Sequence, residues 1–383
     1  VGEIFAGRYE LVDVLGAGGA GVVWRAWDHR TGCYVAGKVM RQVDAASLLR
    51  FVREQAVRIE HRHVLTPLGW AGEDERVLLA MPVVRGGSAA TLVGDHGPLP
   101  ATWVATLLDQ LLAALEVIHD QGLVHRDVKP ANLLLDATGS GLPRARLADF
   151  GIAAAVDQPR LTHASHSVGT LGYAAPESLE PGWDPDPRAD LYGAGLTAAE
   201  LLTAQRPGRH EGSGAGDAAG GVGEADGGAA RTAGGPDADV EAALVGAGVP
   251  VELSKLVHAL VSPDPQDRPA TAAAARRDLA TTGLVARSAG ELGAHPVEVF
   301  DQLPELPEGW DETGPVPTGP QRTSPERRAR RGAAPERDSR STLATTTSGQ
   351  GPVSARAGAR ARAGLLLLAL GLLMILAAVL LPG

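Results

Sequence analysis

The sequence is short of lysine, of cysteine and of net positive charge, and each shortage narrows what the chain can do. Three of its 35 basic residues are lysines, Lys38, Lys129 and Lys255, so arginine serves wherever positive charge alone suffices. A site that keeps lysine needs a compact ammonium on a slim stem rather than a broad guanidinium fork, as when one charge must sit among crowded phosphate oxygens. The single cysteine, Cys33, excludes an intramolecular disulfide and any multi-cysteine zinc site, and fits a reducing compartment. A formal net charge of −10 argues against a nucleic-acid partner, whose phosphates the surface as a whole would repel. No apolar run precedes the first glycine-rich stretch, so no N-terminal secretory signal is expected and the bulk of the chain should stay on the side where it is made.

What is present falls into four composition regimes. Residues 6–95 alternate short β-type runs ("YELVDVLG", "GVVWRAWD", "YVAGKVM", "RVLLAMPVV") with one helical stretch, "AASLLRFVREQAVRIEH", and predict a small sheet-rich lobe. From 100 to 121 the residues Val104, Leu107, Leu108, Leu111, Leu112, Leu115 and Ile118 recur at three and four, which predicts an amphipathic helix stopped by Gly122 and the start of a helical lobe. Residues 208–235 hold eleven glycines in 28 and few large apolars, and are expected as a flexible insertion, after which helical patterns resume and end near 286. Residues 287–362 are rich in Pro, Gly, Ser, Thr and charge and are expected as an unstructured linker, acidic at first and arginine-rich from 322. Residues 363–381, "AGLLLLALGLLMILAAVLL", carry no polar side chain and at about 1.5 Å per residue cover roughly the hydrocarbon thickness of a bilayer. Arginines 356, 360 and 362 flank its N-terminal side, so the positive-inside bias predicts a single-pass C-terminal anchor in the plasma membrane with the large N-terminal part cytoplasmic.

Five short motifs carry the chemistry. "LGAGGAGVVW" places Gly16, Gly18 and Gly21 as G-x-G-x-x-G between two β-type runs, where missing side chains let backbone N–H groups close over phosphates. That spacing alone is shared with dinucleotide-binding folds, but those require a helix directly after the glycines. Here another β-type run follows, and "VAGK" then presents Lys38.

The order "GAGGAG", "VAGK", "HRDVKPAN", "DFG", "APE" resembles the eukaryotic-like protein kinases over residues 8–286, and "DVKPAN" with a single C-terminal span resembles the serine/threonine, membrane-anchored bacterial branch. The resemblance implies an α+β, two-lobed kinase fold with a β-rich N-lobe over about 8–84 and a helical C-lobe over about 88–286. It implies that ATP lies under Gly16, Gly18, Gly21 and Val23, with adenine beside Met81 as gatekeeper and the backbone of Pro82 and Val84. Lys38 would grip the α and β phosphates, held by Glu54, for which Glu60 competes because the helix is short. Asn132 and Asp149 would hold Mg²⁺, with Mn²⁺ as an alternative, since hard cations prefer oxygen ligands. Asp127 would accept the substrate hydroxyl proton and Lys129 would reach the γ-phosphate. Arg126 would dock a phosphate from the segment between "DFG" and "APE", where Thr162, Ser165 and Ser167 are candidate phosphosites and Thr170 favours hydroxyl substrates. Glu177 would pair with Arg268, and Asp190 would brace the catalytic loop from below. Gly37, in place of a bulkier apolar residue, implies a looser nucleotide roof.

The implied activity is ATP-dependent phosphorylation of protein Ser/Thr hydroxyls, with autophosphorylation in trans through a homodimer and with membrane lipid as a further partner. Two other readings are weighed against it. A pseudokinase scaffold draws support from Gly37, the short Glu54 helix and the glycine-rich insertion. A small-molecule phosphotransferase is disfavoured by "GTLGYAAPE", which resembles a peptide-docking platform.

Overall fold

The computed structural model describes residues 2–18, 21–40, 59–149, 172–207, 236–293 and 297–316. Its contacts divide the chain into Val1–Pro320 and Gln321–Gly383, and every described residue belongs to the first unit. The expected helix carrying Glu54, the activation-segment residues, the glycine-rich insertion and the apolar run at 363–381 all lie outside the described residues.

Among the described residues six strands form one antiparallel sheet: β1 (Ile4–Phe5), β2 (Tyr9–Gly18), β3 (Gly21–Asp28), β4 (Cys33–Met40), β5 (Gly69–Glu73) and β6 (Arg76–Met81), in the order β1-β2-β3-β4-β6-β5. Side chains alternate between its faces, as strand geometry demands. Val35, Val39, Leu78 and Ala80 join Phe5, Tyr9, Leu11 and Ala26 in one buried cluster. Ala36, Val77, Leu79 and Met81 join Leu65 and Ala148 in another, with Leu15, Val23, Met40, Val84 and Leu134 packed against it. The second face is the one that looks across to the helical lobe, because Ala148 and Leu134 belong to that lobe.

The helical lobe comprises α1 (Ala89–His96), α2 (Ala101–Asp120), α3 (Arg188–Thr203), α4 (Pro236–Gly246), α5 (Val251–Leu260) and α6 (Ala272–Thr281), with a small hairpin of β7 (Leu133–Leu135) and β8 (Ala145–Leu147) facing the sheet. Helix α2 is the spine of this lobe. Its Trp103, Leu107, Leu111, Leu112, Leu115 and Ile118 are at most 1% exposed. It is long and apolar enough to cross a membrane, but it is a core helix, largely buried inside the lobe. Two buried polar residues, Thr106 and Gln110, interrupt its apolar surface, and the second does so to a purpose. Buried Gln110 donates to Pro143 O at 2.8 Å and accepts from Ala145 N at 2.7 Å, fastening β8 to the spine by both ends of one amide.

The boundary of the domain differs from expectation. The composition predicts an unstructured linker over 287–362, yet residues 297–316 are folded against the rest of the unit. Val297 and Val299 are buried in the helical-lobe core, and a last hairpin, β9 (Trp310–Asp311) with β10 (Gly314–Pro315), lies on the sheet. The composition is linker-like because the anchoring residues are few and widely spaced. Each nevertheless has a prepared receptor elsewhere in the chain, and local periodicity cannot reveal such a receptor.

Candidate active site

The site is assembled where β4 of the sheet faces the loops flanking β7. Lys38 lies on β4, paired in register with Val23 on one side and Leu79 on the other. It is 5% exposed, and its Nζ donates to Asp149 Oδ2 at 2.8 Å. This contact joins the sheet lobe to the residue two positions beyond β8, so it spans the cleft. Asp149 itself has φ 64°, a left-handed conformation unusual for a residue with a side chain and one that concentrates at functional sites.

The loop from His125 to Asn132 supplies the opposing groups. Lys129 Nζ donates to both oxygens of Asp127 at 2.8 Å, and Asn132 Nδ2 donates to the carbonyl of Asp127 at 2.8 Å and to its Oδ2 at 2.9 Å. Two donors on one carboxylate fix its direction. The Asn132 carbonyl accepts from Ala148 N at 2.8 Å, which ties this loop to the residue preceding Asp149. Lys38, Asp149, Asn132, Asp127 and Lys129 thus form one continuous bonded set lining a shared cleft.

Beneath the loop sits Asp190, 1% exposed, near the start of α3. Its Oδ2 accepts from His125 N at 2.7 Å and contacts His119 Nε2 at 2.8 Å, while its Oδ1 accepts from Arg126 N at 2.7 Å. Arg126 has φ 67°, so the carboxylate holds down a backbone that would otherwise relax. Fully buried His125 extends the brace. Because Asp127 N–H points at its Nδ1, that nitrogen accepts, and the ring proton on Nε2 is left to donate to Ala148 O at 3.0 Å. Further out, Arg268 reaches Glu177 through a bidentate pair of 2.7 and 2.9 Å, bonds the carbonyls of Ser262, Pro263 and Arg188, and lies 4.9 Å from the centre of the Tyr192 ring. The buried guanidinium is therefore well satisfied, as it must be to offset its desolvation.

The fold and the motifs now have an independent counterpart. A family model described as "Protein kinase domain" matches residues 9–279. The chain belongs to the protein kinase family. Among its relatives, the serine/threonine-protein kinase PkaA of Streptomyces coelicolor is 38% identical over 52% of this chain and 39% of its own length. PknL of Mycobacterium tuberculosis is 33% identical over 71% of this chain and 65% of its own. The chain therefore spans less than two thirds of the length of these relatives. The crystal structure of Rad53 residues 1–466 in complex with AMP-PNP superposes with a TM-score of 0.53 at 22% identity, covering 70% of this chain and 64% of that one, and shows the shared fold.

Two features of the kinase cleft correct or extend the sequence reading. Gly37 does not thin the nucleotide roof. It lies on the other face of β4 from Ala36 and Lys38, and a Cβ there would stand 3.2 Å from Leu78 Cδ1, so the Leu78 side chain already fills the space. Ala36, with Val23 and Leu15 above and Leu134 below, lines the apolar cleft beside Met81, and the sequence reading missed Ala36, Leu15 and Leu134. Strand alternation counted back from Lys38 and along "NLLL" is the signal that finds the first and last of these. Gly21 is required by close approach as well as by any phosphate: at φ 131°, a Cβ would fall 2.4 Å from the Val39 carbonyl oxygen. Pro82 follows the last residue of β6, where its missing N–H deprives no strand partner. Glu54, Thr162, Ser165, Ser167 and Thr170 lie outside the described residues.

Proposed function

We propose that the chain is an ATP-dependent protein kinase that transfers the γ-phosphoryl group to Ser or Thr hydroxyls of proteins. The observation that carries this reading is the bonded set across the cleft, with an aspartate held between Lys129 and Asn132 and facing Lys38 and Asp149. The serine/threonine kinase names of the relatives support the substrate class.

In this reading ATP lies under β2 and β3 with adenine between Ala36 and Leu134. Lys38 neutralises the α and β phosphates and Lys129 the γ-phosphate. Asp127 aligns the acceptor hydroxyl and takes its proton as the oxygen attacks phosphorus and the bond from phosphorus to the β-γ bridging oxygen breaks. Lys129 moves with the γ-phosphate as charge shifts to the transferred group, so Asp127 is released from one donor when it must accept a proton. The residues fit Mg²⁺: Asp149 offers carboxylate oxygen, and Asn132, with its Nδ2 committed to Asp127, presents its amide oxygen. The ion would neutralise the phosphate oxygens and hold them in line. One carboxylate and one amide form no complete cage, as suits a metal that keeps waters and phosphate oxygens among its ligands.

The buried Arg126 Nε has no hydrogen-bond partner among the described residues, which supports a phosphate from the activation segment as its counterpart. The apolar run at 363–381 supports anchoring in the plasma membrane with the kinase domain cytoplasmic. Labelled γ-phosphate should reach a generic protein substrate and be lost in Asp127→Ala with the fold retained. Transfer that survives this substitution refutes the assignment. Removing residues from 348 onward should release a soluble, active protein, and carbonate-resistant membrane association of that protein would refute the anchor.

A further inference from the structure

Residues 297–316 run along the side of the domain behind the cleft and touch both lobes in turn. On the helical lobe Val299, 1% exposed, exchanges two backbone hydrogen bonds with Gly139, at 2.9 and 3.0 Å. At the hinge, Gln302 N donates to Arg85 O at 2.7 Å and Arg85 Nε donates to Asp301 Oδ2 at 2.8 Å. The hinge is shaped for this passage. A Cβ on Gly86 would lie 2.6 Å from Val299 Cγ1, and one on Gly87, at φ 72°, 2.2 Å from Gln302 Oε1. On the sheet lobe Arg25, 5% exposed and already paired with Asp13, donates to Pro304 O at 2.9 Å and Glu305 O at 3.2 Å. The segment ends with Trp310 packed against both Trp27 and Tyr34, ring centres 6.5 and 6.1 Å away, and with Tyr34 Oη donating to Asp311 O at 2.6 Å. Gly314 packs so closely that a Cβ would fall 2.6 Å from the Trp27 ring.

The sheet anchors are not on a remote surface. Val23, Arg25 and Trp27 share one face of β3, and Tyr34, Ala36 and Lys38 share the same face of β4, paired Trp27 with Tyr34, Arg25 with Ala36 and Val23 with Lys38. Trp310 therefore bears on the residue one step along the face from Ala36, the roof of the adenine cleft, about 7 Å away. We propose that residues 297–316 are a strap that fixes the separation of the two lobes, with Trp310 and Tyr34 as positioning residues for nucleotide binding. The proposal rests on the kinase reading only for its kinetic readout. Detaching the strap from the sheet lobe lets the lobes sample wider separations, and the apparent nucleotide affinity falls by the fraction of chains no longer poised to bind.

The test compares the full chain with Trp310→Ala, Trp310→Phe and the milder Tyr34→Phe. It measures binding of Mg²⁺ and a non-hydrolysable ATP analogue by calorimetry, hydrogen exchange of the backbone amides at 83–87 in the nucleotide-free chain, and KM and kcat for ATP. Trp310→Ala should weaken analogue binding and raise the KM for ATP by about threefold to tenfold, the size of one aromatic contact, while kcat stays within about twofold. Exchange at 83–87 should quicken. Tyr34→Phe should move the same way by less, and Trp310→Phe should restore most of the loss. A lower melting temperature with unchanged affinity and hinge exchange makes Trp310 a packing residue and overturns the proposal, as does tighter nucleotide binding in either variant. A chain whose analogue affinity depends on the strap but which transfers no phosphate supports the strap and defeats the kinase reading.

Discussion

Replacing Asp190 by Asn keeps the shape of the side chain and removes one of its acceptors. The carboxylate receives the backbone N–H groups of His125 and Arg126 on different oxygens, so an amide can face only one of them with oxygen and must turn its NH₂ toward the other. One charge-assisted bond is lost, about 1.5–3 kcal/mol, and one buried N–H is left opposing a donor, about 1–3 kcal/mol more, for a total near 4 kcal/mol. In a unit of this size the melting temperature should fall by roughly 8 °C. Arg126 is held at φ 67° by this bond, and Asp127 follows it directly, so the loss also reaches the chemistry. Well below the melting temperature, kcat should drop by roughly tenfold or more, since small displacements of a reacting group carry such penalties, while the KM for ATP changes little. Thermal unfolding and γ-phosphate transfer on the same preparation decide the matter. A variant that melts and turns over like the parent would show that Asp190 does not hold the loop.

Gly21→Ala should cost about 1–3 kcal/mol through its left-handed backbone alone, and more as its Cβ meets Val39 O, so thermal unfolding should show a clear loss and ATP binding should weaken with the displaced β2–β3 turn. The Arg8 guanidinium, bonded to Asp28 at 2.7 and 2.8 Å, leads the causes that hold the buried carboxyl at about 2 against an ordinary 3.8. A lowered carboxyl contributes stability that is present above pH 4 and lost as pH falls toward 2, so Arg8→Ala should cost up to about 2 kcal/mol at pH 7, with the gap closing below pH 4 in denaturant titrations. Burial raises Glu200, opposed by the bond from Tyr173 and by Arg206. For a raised carboxyl the folded state favours the neutral form, so stability is lost as pH rises through its folded value. Glu200→Gln, whose amide oxygen can still accept from Tyr173, should therefore melt higher than the parent at pH 8 and match it below pH 4.

What the sequence made legible was whatever is written locally. The catalytic loop, the strand lysine and the apolar period of α2 each sit within a dozen residues and need no partner to be read. The misreading of Gly37 came from taking adjacency in sequence for adjacency in space; on a strand the immediate neighbour of Lys38 faces away, and Ala36 is the residue that shares its cleft. Gln110 was invisible for the opposite reason, a lone amide among leucines whose partners at 143 and 145 are over thirty residues away. The strap combines both difficulties. Val299, Gln302 and Trp310 have no common period, and their receptors at Gly139, Arg85 and Tyr34 are scattered over the chain.

Two of the contacts that span the lobes differ in what can undo them. Lys38 and Asp149 meet through an ion pair at the front of the cleft, and both are groups for which phosphate oxygens and their counter-ions would compete. Such a contact has to open whenever nucleotide enters. Behind the hinge the strap uses buried valines, backbone hydrogen bonds and aromatic edges, which neither titrate nor compete for phosphate near neutral pH, alongside the Arg85–Asp301 pair and the Arg25 bonds to two carbonyls. A cleft restrained only at its front would lose its lobe spacing at the moment of binding, when alignment matters most. With the restraint at the back, the front pair is free to exchange partners while the roof at Ala36 stays over the floor at Leu134, so substitutions at Trp310 and at Lys38 should act on separate steps and combine additively in nucleotide affinity.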